Sequence, residues 1–492
     1  MSNFVSAALP LGERAVAEGQ PAPPSLSSST RPSSDVAAAR SAMPLAAESL
    51  IAPATPQERI ESIDVLRGMS LLGILLININ SFGLPFSAHT DPSAYGGASG
   101  ANFVVWLVNH VLFEGKMRAI FSMLFGASII ILTTRSERRS GGGVEVADIY
   151  YRRTLWLIAI GVLHAYLIWY GDILFFYGVV GLALFPFRKL HGRTLCLIGA
   201  MLLGMHALQG VRGMHKADRA TRTIADLEPI ERSGRQLTAA QASQLQNARS
   251  HREYHKPGAE VIADEINTTR GGYIENLTAR AYVTASLQSE VFYRYLLWDI
   301  AGMLVMGMGL MKLGVFDASR SMRFYMLVAI VGYGVGVPLG TLLALRWAHS
   351  GFDVSAMFRY IRTPHDLVRF STAAGHVAVI MMICKSGALR SARRALASAG
   401  RMALTNYLLM SVLCTLFFYG YGLGMFAKLQ RYELLYVVVA VWAVNLILST
   451  IWLRHFHFGP LEWVWRSLTY WKVQPMRIGA TPAAMVTAAA AS

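Results

Sequence analysis

Arg59-Ile-Glu-Ser-Ile-Asp-Val-Leu-Arg-Gly-Met-Ser-Leu-Leu-Gly-Ile-Leu-Leu-Ile-Asn-Ile-Asn-Ser-Phe-Gly-Leu-Pro85 decides the fold class of this chain. Glu61, Asp64 and Arg67 stand at its start, at about one helical turn of spacing. An apolar run follows, and Asn78, Asn80 and Ser81 close it. A run of this length and composition reads as a membrane-spanning helix. Eleven residues separate Arg67 from Asn78, close to three whole turns. The two therefore share a face, roughly 16 Å apart at about 1.5 Å per residue. A span that only anchors needs neither a charged mouth nor a polar far end. A snorkelling arginine and an asparagine bonded to a neighbouring helix would give the same pattern.

Working outward, the 492 residues are 54% hydrophobic and 15% charged. Soluble domains carry about 25% charged residues. Apolar runs recur near 65–84, 119–134, 154–171, 172–187, 194–211, 290–313, 322–346, 366–385, 402–422 and 433–453. They predict an all-α polytopic bundle of about ten spans. The net charge of +16 collects in short loops, such as those holding Arg188, Lys189 and Arg193, or Arg390, Arg393 and Arg394. One alternation puts every short basic loop on the side where the first span starts. That is the positive-inside pattern of a multi-pass membrane protein with both termini in the cytoplasm, and it argues against a nucleic-acid partner. Asn102–Phe113 is apolar but short and reads as interfacial. Cys196, Cys384 and Cys414 lie in apolar runs without metal spacing, so they imply no disulfide framework or zinc site.

Five regions follow. Residues 1–56 are Ala-, Pro- and Ser-rich and read as a disordered tail. Residues 57–211 form an N-terminal transmembrane half, and 212–289 a long polar periplasmic loop or cap. Residues 290–475 form a C-terminal transmembrane half, including an amphipathic interfacial helix at Gly459–Tyr470. Residues 476–492 form a second tail.

The opening motif Arg-Ile-x-x-x-Asp-Val-Leu-Arg-Gly-Met-x-Leu-Leu-Gly from Arg59 resembles the start of the YeiB-like bacterial inner-membrane family. Ile120–Gly126, Gly161-x-x-His164, Gly171-Asp-Ile-Leu174, Arg401–Tyr407 and Gly459-Pro-Leu-Glu-Trp463 resemble it too. That family, whose C-terminal part is a domain of unknown function, is distantly similar to transmembrane acyltransferases: the type-3 O-acyltransferases and the heparan glucosaminide N-acetyltransferase. The resemblance implies transfer of an acyl group, in particular acetyl, from cytoplasmic acyl-CoA, as co-substrate, to a hydroxyl or amine of a glycan or small metabolite. No permanently bound cofactor is implied. Where the type-3 enzymes commonly carry a histidine eleven residues after the arginine, this chain has Asn78.

Several groups could carry such chemistry. His164 and Asp172, eight residues apart, project into about one quadrant, with His164 in the outer half of its span and Asp172 near the outer surface. An ionisable group there is a functional candidate. His164 oriented by Asp172 is expected to act as general base, with Asn78 holding the thioester carbonyl. A neutral histidine beside a helix-capping aspartate is the structural alternative. His365, Arg369 and His376 form a polar stripe on a later span; His376 is a further catalytic candidate. Asp299 could pair with Arg294 or Arg369. Glu114, Lys116, Arg118, His110 and His89 would face the periplasm, with His89 a reserve candidate. Arg67, Arg153 and Arg401, basic residues at span ends and helix starts, are expected to hold the coenzyme A phosphates. The competing function is a proton-coupled transporter of a small solute or lipid-linked sugar, using the same buried His and Asp.

Overall fold

The computed structural model describes residues 60–140 and 144–479. The expected N-terminal tail, the glycines at 141–143 and residues 480–492 lie outside the described residues. The described chain is an all-α membrane bundle. Its helices are α1 (Glu61–Gly83), α2 (Gly100–Val108, continued by Asn109–Phe113), α3 (Lys116–Ser140), α4 (Val144–Leu167) and α5 (Leu174–Leu184). Then come α6 (Gly192–Arg232), α7 (Ala239–His255), α8 (Ala259–Thr269), α9 (Tyr273–Ser286, continued by Leu287–Leu296) and α10 (Leu297–Lys312). The C-terminal set is α11 (Met322–His349), α12 (His365–Ser386), α13 (Arg390–Arg401), α14 (Ala403–Phe418), α15 (Leu434–His455) and α16 (Pro460–Tyr470).

Among the described residues, seven helical runs are long and apolar enough to cross a membrane, or eight if the α13–α14 pair, bent by 84°, counts as one. Two of the ten expected runs are not among these. The runs at 154–171 and 172–187 become α4 and a second limb, α5, of only 11 residues. Eleven residues reach about 16 Å, roughly half of a 30 Å hydrocarbon layer. Composition alone does not distinguish such a half-span from a whole one.

The 212–289 segment differs in form from the expected loop. Both of its boundaries fall inside helices. The 41-residue α6 continues past 211 to Arg232, about 60 Å in all, and an unbroken run from Tyr273 leads into α10. Leu245, Ala248, Ile224 and Leu227 form a small core between α6 and α7. α9 folds over the α4 end: Thr284 Oγ1 donates to Ala165 O at 3.2 Å, Tyr273 donates to Leu167 O at 2.8 Å, and Arg280 donates to Ile168 O. These side chains satisfy the carbonyls that a helix C-terminus leaves open.

α1 is the central helix. Its apolar window is 78% buried, against 22% for α11 and 17% for α6. Leu71, Leu75, Ile79 and Phe82 enter one core with α4, α5, α14 and α15, while Ile63, Leu66 and Ile74 enter a second with α3, α10 and α12. Close helix contact depends on glycine at α1–α13. A Cβ on Gly68 would stand 2.0 Å from Leu396 O, and one on Gly400 1.9 Å from Asp64 O. Small residues at a membrane helix crossing let the backbones touch. Because Arg67 precedes Gly68 and Arg401 follows Gly400, this crossing brings the two arginines together.

Candidate functional site

That crossing opens a cavity of about 170 Å³ at the arginine-rich end of the bundle. Arg67, Arg153, Arg401 and Arg466 line it, and so do Phe121, Leu124, Phe125, Ile129, Leu132 and Leu157. Its inner end is Leu174, Tyr177 and Tyr407. A more polar cavity of about 120 Å³ adjoins it, sharing Arg67, Arg401 and Arg466 and adding Asp64, Arg135 and His457. Guanidinium groups and hydrocarbon walls in one cavity suit a ligand with an anionic head and an apolar arm.

The arginines are held by neighbours. Arg67 donates to Asp64 at 3.0 Å and to Ser128 Oγ at 2.6 Å. Arg153 lies 3.7 Å above the Trp465 ring, and the Trp465 indole donates to Arg153 O at 2.9 Å. The three arginines expected from the sequence thus reach one cavity. The helix start after Arg401 is already occupied. Glu462 Oε1 already accepts from Leu404 N at 2.7 Å and Thr405 N at 3.1 Å, and Oε2 accepts from Thr405 Oγ1 at 2.6 Å. A carboxylate from α16 fills the N-terminus of α14, so the anion capacity that remains is in the guanidinium groups. Burial pushes the Glu462 carboxyl up, and the hydrogen bonds from Thr405 pull it back.

His164 and Asp172 meet as expected, and both are buried. Their relative exposures are 1% and 4%. His164 Nδ1 stands 2.9 Å from Asp172 Oδ1, and Asp172 Oδ2 accepts from Phe175 N at 2.7 Å. The aspartate therefore caps α5 and orients the histidine at once. Gly161, one turn before His164, permits this: a Cβ there would stand 2.3 Å from Phe175 N and 2.9 Å from Asp172 Oδ2. His164 Nε2 is buried without a hydrogen-bond partner among the described residues. Its ring lies 5.1 Å from that of Tyr407, whose hydroxyl donates to Gly171 O at 3.1 Å. Tyr407 thus touches both the cavity and His164.

The other candidates lie elsewhere. Asn78 is half-buried on α1 and lines neither cavity. His376 is engaged at both ring nitrogens, with Tyr333 Oη at 2.8 Å and Leu112 O at 2.8 Å. His376→Leu is expected to lower stability by about 1–3 kcal/mol, because it leaves two buried groups unpaired. Thermal unfolding in detergent would read that loss, and activity per folded molecule should not change. Arg369 does not snorkel. It is fully buried and bridges Asp299 and Asp366, each at 2.5 Å. Asp299 also accepts from Arg118 at 2.7 Å, whereas Arg294 pairs with Glu290 at 2.7 Å. His89 bonds Ser81, and His110 bonds Glu114 at 2.5 Å; all but Ser81 border a polar space of about 20 Å³ with Arg431. Sequence reasoning missed Tyr407 and Arg466 as cavity residues, and Glu462 as the cap of α14.

The family described as "Protein of unknown function (DUF418)" matches residues 310–472. The Escherichia coli K12 protein named "Uncharacterized protein YeiB" is 30% identical over 423 residues, covering 84% of this chain and 96% of the relative. The chain belongs to the YeiB-like DUF418 family. A second member, "Uncharacterized protein YxaH" of Bacillus subtilis 168, is 27% identical over 433 residues, covering 87% of this chain and 98% of its own. No solved structure matches the chain. Within this DUF418 protein, the matched region supplies Arg401, Tyr407, Glu462 and Arg466, while α1 and α4 supply Arg67, Arg153 and His164.

Proposed function

We propose that this protein is a membrane acyltransferase that moves an acyl group from cytoplasmic acyl-CoA to a hydroxyl or amine of a glycan or small metabolite. The observation that carries this reading is the single cavity with arginines at one end and Tyr407, backed by the His164–Asp172 pair, at the other. On this reading the arginine-rich end faces the cytoplasm of a bacterial inner membrane. Arg67, Arg153 and Arg401 hold the phosphates of the donor. Its thioester arm follows the apolar wall toward Tyr407.

Asp172 holds the proton of His164 on Nδ1, which leaves Nε2 as the base. Nε2 takes the proton of the acceptor as its oxygen or nitrogen attacks the thioester carbonyl carbon. The C–S bond then breaks, and the departing thiolate takes that proton from the imidazolium. Tyr407 separates His164 from the cavity, so its side chain must swing aside for the two substrates to meet. Asn78 is left without a part in this arrangement.

The test is donor binding. Purified protein in detergent is expected to bind acetyl-CoA saturably, and Arg67→Gln with Arg401→Gln to weaken binding at least about tenfold, the equivalent of about 1.4 kcal/mol. Undiminished binding in that variant would remove the arginine cavity from the function. Solute uptake into vesicles without any acyl donor would favour a transporter instead.

A further inference from the structure

A second cluster lies away from this cavity, where α6 meets the start of α12. His206 on α6 and His365 and Asp366 on α12 each offer a ligand atom, and these atoms all lie within 4.8 Å of one another. His206 Nδ1 stands 2.7 Å from Asp366 Oδ2, and His365 Nδ1 stands 3.5 Å from Asp366 Oδ1. The side chains are partly exposed, at 22%, 25% and 13%, so the cluster is not sealed inside the protein. Two histidines and one carboxylate form a donor set typical of zinc and other first-row divalent ions.

Two further observations point the same way. Gln209, one turn beyond His206, carries a buried side-chain oxygen with no hydrogen-bond partner among the described residues, and Thr363, two residues before His365, carries another. Both elements of the cluster therefore carry an unengaged oxygen. The two elements touch there: a Cβ on Gly210 would stand 2.9 Å from Arg362 O and 3.1 Å from Thr363 Cα. Behind the cluster, Asp366 Oδ1 accepts from Arg369 at 2.5 Å, which is braced in turn by Asp299 at 2.5 Å. Ligating carboxylates are characteristically oriented by such outer hydrogen bonds. Arg118 and Arg369 are matched in charge by Asp299 and Asp366, so the network is balanced without an ion. An incoming cation must displace the His206–Asp366 hydrogen bond and draw the ligands around itself.

We infer that His206, His365 and Asp366 bind one divalent transition-metal ion, of the zinc class, that ties α6, near the end of its apolar run, to the start of α12. The inference is independent of the acyl-transfer reading. Tag-free, full-length protein in detergent, stripped with chelator and titrated with Zn²⁺, is expected to take up one equivalent per chain. Cobalt substitution is expected to give visible absorption bands of a nitrogen- and oxygen-ligated ion. His365→Ala is expected to weaken zinc binding at least about tenfold, as loss of a ligand or its support does. His164→Gln is expected to leave it unchanged. His365 makes the longer, 3.5 Å contact within the cluster, so its removal should spare the fold. Absence of a stoichiometric ion in the wild-type titration would overturn the inference, and so would equal zinc affinity in folded His365→Ala. A cobalt spectrum of an all-oxygen ion would overturn it even if no variant folds.

Discussion

Replacing His164 with Gln is expected to lower acyl transfer by about 10²- to 10⁴-fold, the usual contribution of general acid–base catalysis. Gln keeps a donor and an acceptor in a similar volume, so the contact with Asp172 can persist and the fold should be nearly unaffected. What is lost is the basic nitrogen, Nε2, which makes no hydrogen bond among the described residues. A histidine kept only for packing would have both nitrogens engaged, as His376 does. Asp172→Asn should reduce turnover less, because it disturbs the orientation of His164 rather than removing the base. It should also lower stability, since Asp172 Oδ2 caps α5 through Phe175 N. Turnover normalised to folded protein separates catalysis from stability. Full turnover in His164→Gln would take this residue out of the mechanism.

Much of this arrangement was legible in the sequence because it lies close along the chain. His164 and Asp172 are eight residues apart, and a single hairpin brings them together. Arg67 and Arg401 each adjoin a glycine, and those glycines make the helix crossing that joins them. What was not legible is long-range pairing. Glu462 reaches Thr405 across 57 residues, and His206 reaches Asp366 across 160. Periodicity places each residue on a face but does not say which distant helix meets that face. Burial of Asp172 is a long-range effect too: α9 covers the turn after α4, through Arg280 on Ile168 O and Thr284 on Ala165 O. The polar 212–289 stretch reads as a loop because its charges are mixed and exposed, whereas its α9 packs on the end of α4.

Asp299→Asn is expected to be the most destabilising of these substitutions, by about 3–5 kcal/mol, the cost of leaving a buried charge without its partner. Asp299 is 1% exposed and takes hydrogen bonds from two arginines on different helices, Arg118 on α3 and Arg369 on α12. With the carboxylate gone, Arg118 can still turn its one-third-exposed side chain toward water, but Arg369 is fully buried and keeps only Asp366. Two of the Arg369 nitrogens already lack a hydrogen-bond partner among the described residues, so losing Asp299 adds to an existing deficit. Replacing both charges, in Asp299→Leu with Arg369→Met, should cost less than Asp299→Asn alone, because a well-packed apolar pair needs no desolvation of charge. Thermal or denaturant unfolding in detergent makes the comparison. If Asp299→Asn shifts stability by less than about 1 kcal/mol, the buried pair is not what fastens α10 to α12, and apolar packing between the two helices must do so instead.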